Sequence, residues 1–339
     1  MKAAVLHGKK DIKIEEIELP QTKDRILIKL IACGICISDV KAYLQGQSHY
    51  YTPPIILGHE YIGNIVAIPE VNNSFKKGDR VAVIHAVNCG YCNYCQRGLF
   101  ELCENKQRAS NGGFAEYVSI GKESVNKALI KLPENISTNE ATFLEPIACC
   151  IESIEKCNIE LGDTIVIVGA GVMGLLLLQL SLLKGASKVI VSEINEYRRN
   201  MARKFGAITI NPEEIELEKF IKSKTDCAGA DLVISTVFKE DVLNQSFSIA
   251  RKQGTVFVFG SAIKNPNLVV DSDRIHYDQI NVLGSSAYKP IHFRIALKLL
   301  EENRISVKKL ISSVEKIDKI KQAFEDYTKP ENLKIIIRI

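Results

Sequence analysis

Four cysteines fall within fifteen residues, Cys89, Cys92, Cys95 and Cys103, in the spacing Cys-x2-Cys-x2-Cys-x7-Cys. Four soft thiolates with no open position suit a closed, tetrahedral structural Zn²⁺. Gly90, Asn93 and Gly98 make the same stretch rich in loop formers. The run lacks the proline that follows the last cysteine in the bacterial ferredoxin pattern, which argues against an iron–sulfur cluster. A looser set consists of Cys36, His59, Glu60 and Glu145. One thiolate, one imidazole and one carboxylate would leave a fourth position open, as a catalytic zinc needs. His59 and Glu60 are adjacent, and adjacent side chains on a regular strand point to opposite faces. Either the chain turns there, or only one of the two ligates metal.

A third constellation is Gly169-Ala170-Gly171-Val172-Met173-Gly174, a G-x-G-x-x-G match. On its own such a match is weak; its context strengthens it. It follows the β-branched run Thr164-Ile165-Val166-Ile167-Val168 and opens a Leu-rich segment, so the pattern predicts strand, tight turn and buried helix. Gly169 permits the turn, Gly171 lets the backbone approach a pyrophosphate, and Gly174 lets helix and strand pack closely. The N–H groups of the helix start, those of Val172 and Met173 among them, are offered to phosphate charge. Glu193 ends the next strand nineteen residues after Gly174, near the expected distance of about 20. Its carboxylate suits ribose hydroxyls and repels a 2′-phosphate, which favours NAD over NADP. Arg198 and Arg199 work against that preference if they face the ribose; the other reading is a solvated helix face.

These groups need a large scaffold. With 339 residues at roughly 100–200 per domain, two domains are expected. The composition, 46% hydrophobic and 25% charged, is that of a globular protein and excludes disorder, collagen and coiled coil. A net charge of +4 over this length is no nucleic-acid footprint. Residues 165–183 form an uncharged run of membrane-spanning length, but the glycines at 169, 171 and 174 make it a strand, turn and helix instead. The first ten residues lack the apolar core of a secretory signal, so a cytoplasmic location with reduced thiols is expected.

Before residue 146 the chain is rich in short β-type runs such as Arg25–Leu30 and Asp79–Ile84. After about 160, strands near 188–192, 231–235 and 254–260 alternate with helices near 195–205 and 240–251. That alternation predicts a parallel sheet with right-handed crossovers. A helix over 293–300 and an apolar strand over 333–339 close the chain.

Taken together, Met1-Lys2-Ala3-Ala4, Gly34-Ile35-Cys36-Ile37-Ser38-Asp39, Gly58-His59-Glu60, the cysteine loop, Gly112-Gly113-Phe114-Ala115-Glu116-Tyr117, Glu145-Pro146, the glycine fingerprint and Val282-Leu283-Gly284-Ser285 resemble the zinc-dependent medium-chain alcohol and polyol dehydrogenases, nearly end to end. The resemblance implies an α/β fold class: a β-rich, GroES-like catalytic domain over 1–148 and 289–339, and a doubly wound parallel-sheet Rossmann domain over 149–288. It implies two zinc ions per chain, one structural on the four cysteines and one catalytic on Cys36 and His59, with Glu60 or Glu145 as the third ligand. It further implies hydride transfer from the carbinol carbon of an alcohol to NAD, with Ser38 passing the alcohol proton outward, and a homodimer or homotetramer.

Lys41 stands where the family often has a histidine, and is otherwise a plain surface lysine. Tyr288 matches a substrate-pocket tyrosine of some polyol dehydrogenases, but Ala287 replaces the arginine often preceding it. Gly46-Gln47-Ser48-His49-Tyr50-Tyr51 is similar to dehydrogenases of hexitol phosphates; Lys106, Gln107 and Arg108 would then meet the phosphate. The expected substrate is a small-molecule alcohol or polyol. A hexitol phosphate, L-threonine and a simple alcohol are the alternatives, with a zinc-ribbon nucleic-acid module as the rival from another class. His7, His49, His85, His276 and His292 are read as surface or core residues, and Cys33, Cys149, Cys150, Cys157 and Cys227 as buried small hydrophobes.

Overall fold

Arg25–Gly34 alternates in burial, with Ile26, Ile28 and Leu30 inward and Lys29 exposed, the period-2 pattern of a strand with one face on a core. It lies at the centre of the sheet that carries Glu60. The computed structural model describes residues 1–47, 52–69, 74–260 and 267–339. Ser48, His49, Tyr50 and Tyr51 lie outside the described residues. The chain divides into two units, Met1–Ala148 with Lys289–Ile339, and Cys149–Tyr288.

In the first unit the strands Leu129–Lys131, Arg80–Val83, Glu60–Ala67, Arg25–Gly34, Lys334–Arg338 and Ile311–Lys316 lie side by side in that order, and Tyr117–Gly121 also pairs with Arg25–Gly34. The last strand runs antiparallel to Arg25–Gly34, with Ile336 opposite Gly34 and Ile337 opposite Cys33. The C-terminal segment therefore completes a sheet begun three hundred residues earlier. Ile26, Ile28, Leu30, Tyr43, Phe114, Phe324, Ile335 and Ile337 share the core beneath it. Burying each such large side chain is worth about 1.5–3 kcal/mol, which is what anchors the returning strand.

The second unit is a parallel sheet in the order Ile208–Ile210, Lys188–Ser192, Thr164–Val168, Ala230–Ser235, Ala250–Phe259 and Asn281–Ser285. Thr164–Val168 is buried along its whole length, as a central parallel strand must be. Strand order reverses on either side of it, which makes its carboxyl end the switch point where such sheets bind ligands. The helix Val172–Lys184 follows directly and buries Leu175, Leu176, Leu177 and Leu178. Among the described residues no helix is long and apolar enough to cross a membrane.

Three features depart from the sequence expectations. The strand expected at 254–260 begins at Ala250, before an irregularity in its pairing with Ala230–Ser235. Ile208–Ile210 was not anticipated; three residues are too few to show a period. Two cysteines expected to be buried are not: Cys149 is half-buried and Cys227 is exposed, the latter in a left-handed turn conformation with φ of 66°.

Candidate active site

Cys36 precedes the helix Ile37–Gln45 in extended conformation, as its N-cap. Asp39, fully buried in that helix's first turn, organises the surroundings. One carboxylate oxygen accepts from the Cys36 N–H at 3.1 Å; the other accepts from the Gly58 N–H at 3.1 Å and lies 3.4 Å from His59 Nδ1. A carboxylate behind a histidine fixes its ring and tautomer in metal sites, and this arrangement supplies one. Burial would push the Asp39 pKa up, but the facing His59 imidazole and the backbone donors hold it below the usual range. Burial also opposes charge on His59, while the Asp39 and Cys36 charges raise its pKa well above the ordinary value.

Gly58 has φ of 91°, and an added Cβ would lie 2.8 Å from Cys33 Sγ, so a side chain there is excluded twice over. That turn places His59 just before the strand Glu60–Ala67 rather than within it. The chain thus turns at the pair, and ligand atoms of Cys36, His59 and Glu60 come within 4.8 Å of one another. A soft thiolate, an imidazole and a carboxylate around one point fit an open zinc site. Glu145, in the first turn of the helix Leu144–Lys156, lines a crevice with His59, Glu60 and Phe293 but is not one of the three convergent groups.

Glu60 has a second partner that the sequence did not reveal. Lys334 Nζ, from the C-terminal strand, makes a buried ion pair with its carboxylate and lies 5.5 Å over the Phe143 ring. Burial works against the ammonium, but the Glu60 and Cys36 charges raise its pKa. Gly34 makes room for the pair: a Cβ there would collide with the Glu60 carboxylate and come 2.8 Å from Lys334 Cε. Ser38 and Lys41, on the helix after Cys36, are both half-buried. Burial lowers the Lys41 pKa, with the Cys36 charge opposing.

His85, read from the sequence as an ordinary surface or core residue, lies with its ring centre 6.2 Å from that of His59. Burial, together with the charges of His59 and Arg108, lowers its pKa to about 3, so the imidazole is neutral. Its place at the end of the apolar run Val81–Ile84, four residues before Cys89, is the only sequence signal of that location.

In the cysteine loop all four thiols are free of disulfides and their sulfurs lie within 4.8 Å of one another. The Cys89–Cys95 and Cys92–Cys103 Sγ separations are both 3.9 Å, close to the ~3.8 Å edge of a tetrahedron built on Zn–S bonds of about 2.3 Å. The Cys89 N–H donates to Cys103 Sγ and the Cys92 N–H to Cys89 Sγ, each at 3.3 Å. Desolvation acts upward on Cys89, yet backbone donors of Tyr91 and Cys92 bring its thiol down to about 6; burial leads in holding Cys103 at about 11. Four sulfurs arranged around one point fit a closed structural zinc.

At the glycine fingerprint, Gly169 has φ of 99°, and a Cβ on Gly174 would strike the Gly169 carbonyl. A Cβ on Gly171 would meet nothing within 4 Å, so the space in front of that backbone is open for a ligand. Glu193 is buried, its carboxylate oxygens accepting from the Ala170 N–H at 2.7 Å and the Asn195 N–H at 2.8 Å. Two of its roughly four acceptor positions remain for hydroxyls. Arg199 is no solvated residue: it is buried and donates to the carbonyls of Glu193 and Ile194. Arg198 is half-buried at the start of the helix Glu196–Lys204.

Residues 22–134 match the alcohol dehydrogenase GroES-like domain family and residues 172–302 the zinc-binding dehydrogenase family. D-arabitol-phosphate dehydrogenase of Enterococcus avium is 30% identical, over 95% of this chain and 92% of that one. Sorbitol dehydrogenase of Bacillus subtilis is also 30% identical, over 99% and 97%. The structure of a zinc-binding dehydrogenase from Sinorhizobium meliloti bound to NADP superposes with a TM-score of 0.90 at 28% identity, covering 100% of this chain and 99% of that one. The chain is an oxidoreductase and belongs to the zinc-dependent medium-chain alcohol and polyol dehydrogenases.

Proposed function

We propose that this protein oxidises a secondary alcohol, a polyol or related sugar alcohol, by hydride transfer to NAD. The observation that carries the reading is the convergence of Cys36, His59 and Glu60 over the buried Asp39 carboxylate. The names of the relatives, acting on sorbitol and on arabitol phosphate, support the substrate class. When bound at Cys36, His59 and Glu60, zinc supplies Lewis-acid polarisation of an alcohol oxygen.

The chain's own residues do the rest. Asp39 holds His59 in one orientation, and Lys334 balances the charge of Glu60 in a buried setting where an unpaired carboxylate would be costly. Glu145, in the same crevice, is the carboxylate available to exchange with Glu60. Ser38, two residues past Cys36, is the hydroxyl assigned to pass the alcohol proton outward. Gly171, Val172, Met173 and Gly174 cradle the dinucleotide pyrophosphate, with Gly169 making the turn. Glu193 selects for unphosphorylated ribose; Arg199 is committed to backbone carbonyls, which weakens the case for NADP. Cys89, Cys92, Cys95 and Cys103 hold the second zinc.

A phosphorylated polyol is the second reading. The name of the arabitol-phosphate relative favours it; Lys106 does not, because its ammonium donates to the Glu101 carbonyl at 2.7 Å. The exposed edge strand Asn281–Ser285, with Val282 and Leu283 outward, supports a homo-oligomer, and cysteines clustered for a metal support a reducing, cytoplasmic setting. A panel of polyols, polyol phosphates, L-threonine and simple alcohols, each with NAD and NADP, tests the reading. Fastest reduction of NAD by an unphosphorylated polyol is expected; preference for L-threonine or a simple alcohol would replace the assignment.

A further inference from the structure

We infer that His85 is a specificity-determining residue that hydrogen-bonds a second hydroxyl of the substrate, next to the carbinol being oxidised. The inference rests on the proposed reading of Cys36 and His59 as the alcohol site, and concerns which alcohol that site prefers.

The geometry is that of a held, presented imidazole. The His85 backbone is fixed because its carbonyl accepts from the Ala109 N–H at 2.8 Å. The ring is fixed on one side because Nδ1 lies 3.4 Å from the Tyr61 hydroxyl, and that hydroxyl is itself 2.6 Å from Ser110 Oγ. Tyr61 and Ser110 are buried, so the chain of hydroxyls behind the ring is enclosed. Tyr61 also packs edge-on to the imidazole at 6.2 Å between centroids. Among the described residues Nε2 has no hydrogen-bond partner, and His85 is half-buried beside His59.

A ring clamped through one nitrogen by hydroxyls that can each donate or accept leaves the other nitrogen able to take either role. With Tyr61 donating to Nδ1, Nε2 carries the proton and donates; with Nδ1 donating to Tyr61, Nε2 accepts. A hydroxyl group is the matching partner, since it too does both. A site built to bond a substrate hydroxyl discriminates strongly against the analogue that lacks it, because its own polar group is left unpaired. A simple alcohol would leave Nε2 in that state; a vicinal diol would not.

The test compares 2,3-butanediol with 2-butanol, which differ by one hydroxyl, in the zinc-loaded wild type, His85→Phe and His85→Gln. Expected is a fall of roughly 10–100-fold in the diol to mono-alcohol kcat/KM ratio for His85→Phe, expressed mainly in KM of the diol. His85→Gln, which keeps a donor and an acceptor, restores most of that ratio. Equilibrium binding of 2,3-butanediol to the loaded proteins should weaken in parallel, and zinc content should stay at the wild-type value in both variants. If His85→Phe does not fold, His85→Leu is read the same way. An unchanged ratio, lack of rescue by Gln, or loss of zinc from the variants would overturn the inference while leaving the dehydrogenase reading intact. Wild-type failure to oxidise any alcohol would overturn both.

Discussion

Lys334 reaches Glu60 from 274 positions away in the sequence, and neither side chain has appreciable access to water. Replacing Lys334 by Met leaves a buried carboxylate without its counter-charge, and breaking such a pair costs about 3–5 kcal/mol. Urea denaturation of Lys334→Met at neutral pH should show a loss of that order. The sign with pH follows from the raised Lys334 pKa: a cation favoured by the fold stabilises it fully below the ordinary lysine pKa of about 10.4 and loses that contribution as pH rises through the folded value. The wild-type advantage over Lys334→Met should therefore persist at pH 7 and shrink only in strong alkali. A lysine heading an apolar strand reads in the sequence as a solvated end, so this residue was invisible before its partner was known. The convergence of Cys36 and His59 was legible through the resemblance that their short motifs carry. His85 was not, since its place four residues before Cys89 is too weak a signal to put it 6.2 Å from the His59 ring.

At the scale of elements, the strand, glycine turn and helix over 164–184 could be read directly, because β-branched residues, three glycines and a leucine run follow one another without interruption. The glycines differ in what they do. Gly171 faces open space, whereas Gly174 packs against the Gly169 carbonyl. Gly171→Val should therefore leave thermal stability near wild type while weakening NADH binding at least tenfold, as read by fluorescence titration. Gly174→Val should lower the melting temperature as well, since its side chain must displace backbone. Equal loss of stability in both variants would contradict this division of labour. The three-residue strand Ile208–Ile210 and the early start of Ala250–Phe259 escaped the sequence because pairing with neighbouring strands, not local periodicity, decides them.

At the scale of the molecule, the first unit is split in sequence, and its sheet is complete only when Lys334–Arg338 pairs with Arg25–Gly34. The same strand delivers Lys334, so sheet closure and the surroundings of Glu60 are built together. On the proposed reading the two sulfur-containing constellations have different work, and metal analysis separates them: two zinc ions per chain are expected in the wild type. Cys36→Ser should lose one with turnover and keep its fold, while Cys92→Ser should lose the other and unfold at lower temperature. The most direct measurement of the central claim follows hydride itself. Zinc-loaded protein with NAD and a polyol deuterated at the oxidised carbon should yield deuterated NADH, detected by mass spectrometry, and Cys36→Ser should yield none. Absence of deuterium from the nicotinamide with every polyol tested, or equal transfer by Cys36→Ser, would contradict the account.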